Sequence, residues 1–173
     1  MSYTATDLEA LIPRLRRYAH ALTRHSVHAD DLVQDTLERA WARRAQWRPD
    51  SSLRAWVFAI MHSIYLNGLR RYELESLSEA WEERAVDAGT DGLLDLERAL
   101  GRLAPAHRSV LLLVGLEDLS YQQTAAVLGI PVGTVMSRLA RARQALRTLM
   151  DGPRARSESP RPDSARPLLK VVK

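Results

Sequence analysis

The 173-residue chain contains no cysteine. That excludes a disulfide framework, a thiolate metal site and a cysteine nucleophile. It holds one Phe against many Leu and Ala, and no run of alternating β-branched residues long enough to argue a sheet. The expected fold class is therefore all-α. The histidines His20, His25, His28, His62 and His107 are scattered, and none forms an HExxH pattern. There is no Gly-rich phosphate loop, metal-ligand cluster or catalytic constellation, so neither a cofactor nor an enzyme activity is expected. No apolar run approaches the length that spans a bilayer. The first residues, MSYTATDLEALIPRLRRY, place acids where a secretory signal needs an apolar core. The expected location is the cytoplasm, without membrane insertion.

Hydrophobic residues make up 46 % of the chain, enough for real cores, and the length suits one domain or two small ones. The net charge of +4 is modest, but its distribution is uneven. Residues 73–97 carry nine acids against Arg84, a local net of −8, which leaves +12 for the remainder. An acidic middle between basic blocks suggests two nucleic-acid-facing modules joined by a segment that avoids phosphates.

The stretch SYQQTAAVLGIPVGTVMSRLARARQALRTLM, residues 120–150, reads as helix, tight turn, helix. Ser120 and Gln123 form a capping-box pattern. Gly129 permits the left-handed conformation that ends a helix, and Pro131 suits the start of the next. Val135, Leu139, Ala142, Leu146 and Leu149 recur as one buried stripe. The other faces carry Arg138, Arg141, Arg143 and Arg147, with no acid before Asp151. A basic helix can be only a solvated face. The preceding turn, the small residues Thr134, Ser137 and Ala140, and the missing acids argue instead for a recognition helix in a major groove.

Two blocks emerge along the chain. In the first, about residues 6–72, Leu8, Leu11, Leu15, Tyr18 and Leu22 are spaced as one helix face. A second helix is expected to start at Asp30 or Asp31, with Val33, Leu37, Ala40 and Trp41 toward the core. Asp31, Gln34, Asp35 and Glu38 form a polar stripe opposite, which on pattern alone can also be a solvated face. A third helix runs from about Leu53 to Arg71. It mixes Trp56, Phe58, Tyr65 and Tyr72 with Arg54, His62, Asn67, Arg70 and Arg71. Aromatics among cations suit single-stranded DNA, where stacking holds bases and cations track phosphates; Phe58 and Ile60 read as core. An acidic linker, residues 73–92, contains Trp81. The second block, residues 93–150, opens with a face of Leu93, Leu96, Leu100 and Leu103. Pro105 starts its next helix, and the helix-turn-helix follows. Residues 151–173, rich in Pro, Arg and Ser, read as a disordered basic tail.

On three segments in this order, the chain resembles the extracytoplasmic-function, or group 4, sigma factors of bacterial RNA polymerase. HADDLVQDTLERAW resembles the polymerase-binding helix of region 2. LRAWVFAIMHSIYLNGLRR resembles the promoter-melting helix. LSYQQTAAVLGIPVGTVMSRLARAR resembles the region 4 reader of the −35 element. The resemblance covers residues 8–150. It implies that Asp31, Gln34, Asp35 and Glu38 grip the clamp helices of the largest subunit of core RNA polymerase. The flap of the second-largest subunit, promoter DNA and an anti-sigma factor are the other implied partners.

The resemblance also implies that His62 and Ser63, with Asn67, Arg70 and Arg71, meet the −10 element. Ser63 stands where the family often has Asn. Met136, Ser137, Ala140 and Arg141 are implied to face −35 bases, and Thr134, Arg138 and Arg143 to lie nearer phosphates. Tyr121 and Gln122 would add contacts to the DNA backbone. Many relatives carry a cation where Met136 stands. A thioether donates no hydrogen bond, so a thymine methyl or plain packing suits that position better than guanine. Two other readings are a sigma-mimicking protein that binds an anti-sigma factor without DNA, and a stand-alone helix-turn-helix regulator. The first should have lost cations that this chain keeps, and the second leaves the first 72 residues unexplained.

Overall fold

The computed structural model describes residues 3–75 and 91–151, with side chains left undescribed at 70–75, 91, 93 and 94. Residues 76–90 of the expected linker, Trp81 among them, and nearly all of the tail lie outside the described residues. Among those described, the regular structure is helical: α1 (Ala5–Glu9), α2 (Ile12–Thr23), α3 (Ser26–Ala42), a 3₁₀ turn (Arg44–Gln46), α4 (Leu53–Glu75), α5 (Asp91–Arg102), α6 (Pro105–Gly115), α7 (Tyr121–Leu128) and α8 (Val132–Asp151).

Local chemistry sets these boundaries. Thr4 and Asp7 close a capping box on α1. The face read from Leu8 to Leu22 as one helix is divided in two. Ala10 caps the end of the first part, Leu11 precedes the second, and Pro13 sits in the first turn of α2, where its missing N–H costs nothing. Helix α3 begins at Ser26, earlier than the acids suggested, because His25 caps it by accepting from the His28 N–H. The preceding residue, Arg24, turns the chain at φ 57°. Ser120 and Gln123 cap α7 reciprocally, and Gly129 ends it at φ 63°. The Pro131 carbonyl then accepts from Thr134 and Val135 to open α8.

The first unit packs α2, α3 and α4 around Leu15, Tyr18, Leu22, Val33, Phe58 and Met61. The Tyr18 and Phe58 rings meet edge-to-face, with centroids 5.2 Å apart. Tyr3 folds back on this unit. Its hydroxyl donates to the Ala40 carbonyl, and its ring packs on Trp47 and Trp56. Phe58 and Ile60 are buried as expected. Trp41 is not in the core: it is 43 % exposed, with the Arg44 guanidinium 4.8 Å from its ring. It falls at i+7 from Gln34 and i+3 from Glu38, which turns it to their side of the helix.

In the second unit, α6 and α8 pack around Val110, Ala125, Val135 and Leu139. The stripe of α8 is buried at Val135, Leu139 and Ala142 and half-buried at Leu146 and Leu149. The two units are in contact. Helix α6 lies against α2 and α7 against α4. Leu112, Leu113, Leu119 and Val127 join the core of the first unit.

Candidate nucleic-acid and polymerase interfaces

The α8 surface follows from its buried stripe. With 3.6 residues per turn, burying Val135, Leu139 and Ala142 turns Met136, Ser137, Ala140 and Arg141 outward together. All four are exposed; Met136 is 53 % exposed. Arg143 is exposed on one flank, while Thr134 and Arg138 are half-buried on the other. The Ser137 hydroxyl donates to the Thr134 carbonyl at 3.1 Å, which occupies its hydrogen but leaves its lone pairs free. Tyr121 and Gln122 are exposed at the start of α7. Small central residues with cations at the edges form a surface that a backbone can bring close to base edges.

The α3 stripe is solvent-facing: Asp31, Gln34, Asp35 and Glu38 are all exposed. Its members are not wholly without internal partners, because the Gln34 amide donates to the Glu38 carboxylate at 3.0 Å. Gln34 and Glu38 also form one wall of a shallow groove between α2 and α3. Ile12, Val33 and Leu37 supply its apolar part, and Arg16 and Asp30 complete the rim. Sequence reading missed Ile12, Arg16 and Asp30. They belong to the groove only because α2 packs beside α3, and no spacing within either helix announces that.

The −10 candidates are divided by the fold. Ser63 and Asn67 are exposed on α4. The side chains of Arg70 and Arg71 lie outside those described. His62 is buried, with 7 % exposure, and its Nδ1 has no hydrogen-bond partner. It lines a cavity with Leu66 and with Pro105, Ser109, Leu128 and Arg138 of the second unit. Burial without a partner disfavours the imidazolium and pushes its pKa down to about 4. Neutral His62 is thus the form this arrangement holds near neutrality.

A further residue escaped sequence reading. Glu117, between α6 and α7, is fully buried, yet it follows an apolar run and would be taken for a surface acid. Arg17 of α2 donates to its Oε1 from Nη2 at 2.9 Å and from Nε at 3.3 Å. Arg14 Nη1 lies 3.6 Å from Oε2.

The architecture is that of a helix-turn-helix transcription factor with a second helical unit. Comparison with known proteins narrows the class. Residues 8–62 match the family model described as the Sigma2 domain of PhyR, and residues 93–146 match Sigma-70, region 4. The ECF RNA polymerase sigma factor EcfG of Rhodopseudomonas palustris (strain TIE-1) is 37 % identical over 150 residues, covering 83 % of each chain. SigC of Mycobacterium tuberculosis (strain CDC 1551 / Oshkosh) is 37 % identical over 125 residues, 68 % of each. The sigma factor RpoE, solved in complex with the anti-sigma factor NepR from Bartonella quintana, superposes with a TM-score of 0.78. It is 33 % identical and covers 85 % of this chain and 96 % of that one. The chain belongs to the ECF family of RNA polymerase sigma factors. Among the described residues, no helix is long and apolar enough to cross a membrane.

Proposed function

We propose that this protein binds core RNA polymerase, reads −35 and −10 promoter elements and promotes melting of the duplex. The observation that carries the proposal is the exposed face of α8, where Met136, Ser137, Ala140 and Arg141 stand together on a helix with no acid before Asp151. Arg141 brings a fork of donors suited to a guanine edge. Arg143 and Arg138 flank it toward the phosphates, with Thr134, Tyr121 and Gln122 nearby. Residues 93–150 are the proposed −35 unit, residues 6–72 the polymerase and −10 unit, and 73–92 the acidic linker between them.

The groove between α2 and α3 is the proposed seat of the clamp helices of the largest subunit. Its apolar part, with Asp30, Gln34 and Glu38 on the rim and Asp31 and Asp35 exposed on the same helix, suits an amphipathic, basic helix. An acid-rich rim would repel bare DNA. Trp41, exposed on the same side, adds an aromatic anchor of the kind that dominates interfaces. The flap of the second-largest subunit is the proposed second polymerase contact. Ser63 and Asn67 on α4, with Arg70 and Arg71 further along, are the proposed −10 surface. The sigma factor makes no covalent change; the polymerase carries the chemistry.

An anti-sigma factor is a proposed partner, because RpoE of Bartonella quintana was solved with one. The alternative of a mimic that binds an anti-sigma factor and never touches DNA fits the α8 face poorly. Such a protein has no need of an acid-free helix carrying Arg138, Arg141 and Arg143. Gel filtration of the full chain with core polymerase, followed by binding to promoter duplexes, tests the proposal. A stable complex that binds promoter DNA supports it. A complex that binds no promoter sequence above background contradicts it.

A further inference from the structure

The sequence after α8 joins positive charge to apolar surface in one short segment. From Gly152 to Lys173, six cations (Arg154, Arg156, Arg161, Arg166, Lys170 and Lys173) stand against Glu158 and Asp163, a net of +4. No acid follows Asp163. Two apolar pairs, Leu168 with Leu169 and Val171 with Val172, flank Lys170. Phosphates alone would use the cations and leave these four aliphatic side chains in water. The segment instead suits a surface that is apolar in its middle and acidic at its edge.

Two concave surfaces of the described residues differ in sign. The cavity beside His62 has an apolar lining that includes Leu66, Pro105 and Leu128, but its charged member is Arg138 and no acid lines it. Lys170 would meet a like charge there. The groove between α2 and α3 has the opposite character. Ile12, Val33 and Leu37 form its apolar part, and Asp30, Gln34 and Glu38 stand on the rim with Arg16. Asp31 and Asp35, exposed on the same helix, add to the negative charge.

Sixteen residues, 152–167, separate Asp151 from Leu168. Stretched out they span about 55 Å, whereas a folded body of about 150 residues has a radius of gyration of about 15 Å. The segment therefore reaches any face of the helical units. A tether of this length gives an effective concentration on the order of 1 mM, so a weak fit is enough for occupancy. We infer that residues 168–172 dock in the α2–α3 groove of their own chain, with the aliphatic side chains on Ile12, Val33 and Leu37 and Lys170 at the acidic rim. The segment and a polymerase helix cannot hold the groove together, so core polymerase must displace the tail to bind. That consequence rests on the proposed seat of the clamp helices; the docking does not.

The absence of cysteine makes a site-specific test possible on the full chain. Ser164→Cys carries a single nitroxide label close to the segment and removes no cation. Amide signals of the isotope-enriched protein are compared with the label oxidised and reduced, without polymerase or DNA. The expected result is loss of the Val33, Gln34 and Leu37 signals, while Ser137 and Ala140 of α8 keep theirs. Adding Leu168→Ser with Leu169→Ser should restore the lost signals, and so should Asp30→Lys with Glu38→Lys. The tail variant leaves both helical units native, so it carries the test if the charge reversal perturbs the fold. Broadening around His62 or across α8 instead, no broadening of any helix, or broadening that survives the tail variant overturns the docking. So does broadening of an isotope-enriched native chain mixed with an unenriched, spin-labelled one, which would put a second copy in the groove. Polymerase and promoter take no part in these spectra, so a failure of the proposed function leaves them unchanged.

Discussion

The Arg108 guanidinium of α6 donates from Nη1 to the Leu22 carbonyl at the end of α2, at 2.9 Å. The same group donates to Leu100, Gly101 and Leu103 at the end of α5, at 2.9, 2.8 and 3.3 Å. One cation thus serves the carbonyl ends of two helices that belong to different units. Both the carbonyls at the helix ends and the negative end of each helix dipole favour it. Lysine carries the charge without the planar fork. We predict that Arg108→Lys lowers stability by about 1.5–3 kcal/mol, the scale of hydrogen bonds made by a charged group. Urea unfolding followed by circular dichroism measures it, and a loss below about 0.5 kcal/mol would mean that water replaces these bonds at no cost.

Arg141→Ala should weaken binding to a −35 duplex by about 1–3 kcal/mol and relax specificity at one position. Arg143→Ala should weaken all sequences alike and flatten the dependence on salt. Titrations of matched and mismatched duplexes across a salt series separate the two. Equal losses on every sequence for Arg141→Ala would remove it from the base-reading set.

Asp35→Lys should abolish association with core polymerase and leave the fold intact, since exposed substitutions usually shift stability by no more than about 0.5 kcal/mol. Trp41→Ala should weaken the same association by on the order of tenfold or more, as loss of an interface aromatic does. Pull-down with core enzyme and a thermal melt of each variant provide the readout. Full retention of polymerase by both folded variants would assign this face to solvent.

His62 ties stability to pH. The unfolded chain takes up the His62 proton near 6.5, whereas burial holds the folded pKa down to about 4. Between those values the unfolded state carries the extra proton, so stability is lost as the pH falls. Relative to neutral pH, the loss at pH 5 from this group is about 2 kcal/mol. The charged neighbour across the cavity, Arg138, does not change protonation in this range. His62→Leu should flatten the acid limb of a plot of urea stability against pH. An unchanged limb would mean that His62 is solvated in the folded protein.

Ser63→Asn should change which −10 base is preferred, because an amide offers paired donor and acceptor groups where a hydroxyl offers one donor. Permanganate footprinting on promoters carrying each of the four bases reads the preference. Unchanged preference and unchanged melting would remove Ser63 from the −10 surface.

Much of this was legible in the chain itself. The α7–α8 turn was readable because Ser120, Gln123, Gly129 and Pro131 act through local backbone chemistry, and each does so here. The α8 stripe was readable because burial repeats with the helix. What escaped depends on partners distant in sequence. Glu117 is buried by arginines 100 residues or more away, and His62 by a helix-turn-helix far down the chain. Trp41 was misplaced because an aromatic beside a core stripe reads as core, and only its packing turns it out. The start of α3 was missed because His25 caps it through a ring nitrogen, a weaker signal than Ser or Asp.

A sigma factor directs core RNA polymerase to promoters. The most direct measurement is multi-round transcription by purified core enzyme on a library of promoter-length fragments, with and without the protein, with transcript 5′ ends sequenced. New 5′ ends are expected only when the protein is present, each preceded by a shared pair of elements near −35 and −10. They should be lost with Asp35→Lys. Stable binding to core polymerase without any new, element-linked 5′ ends would contradict it.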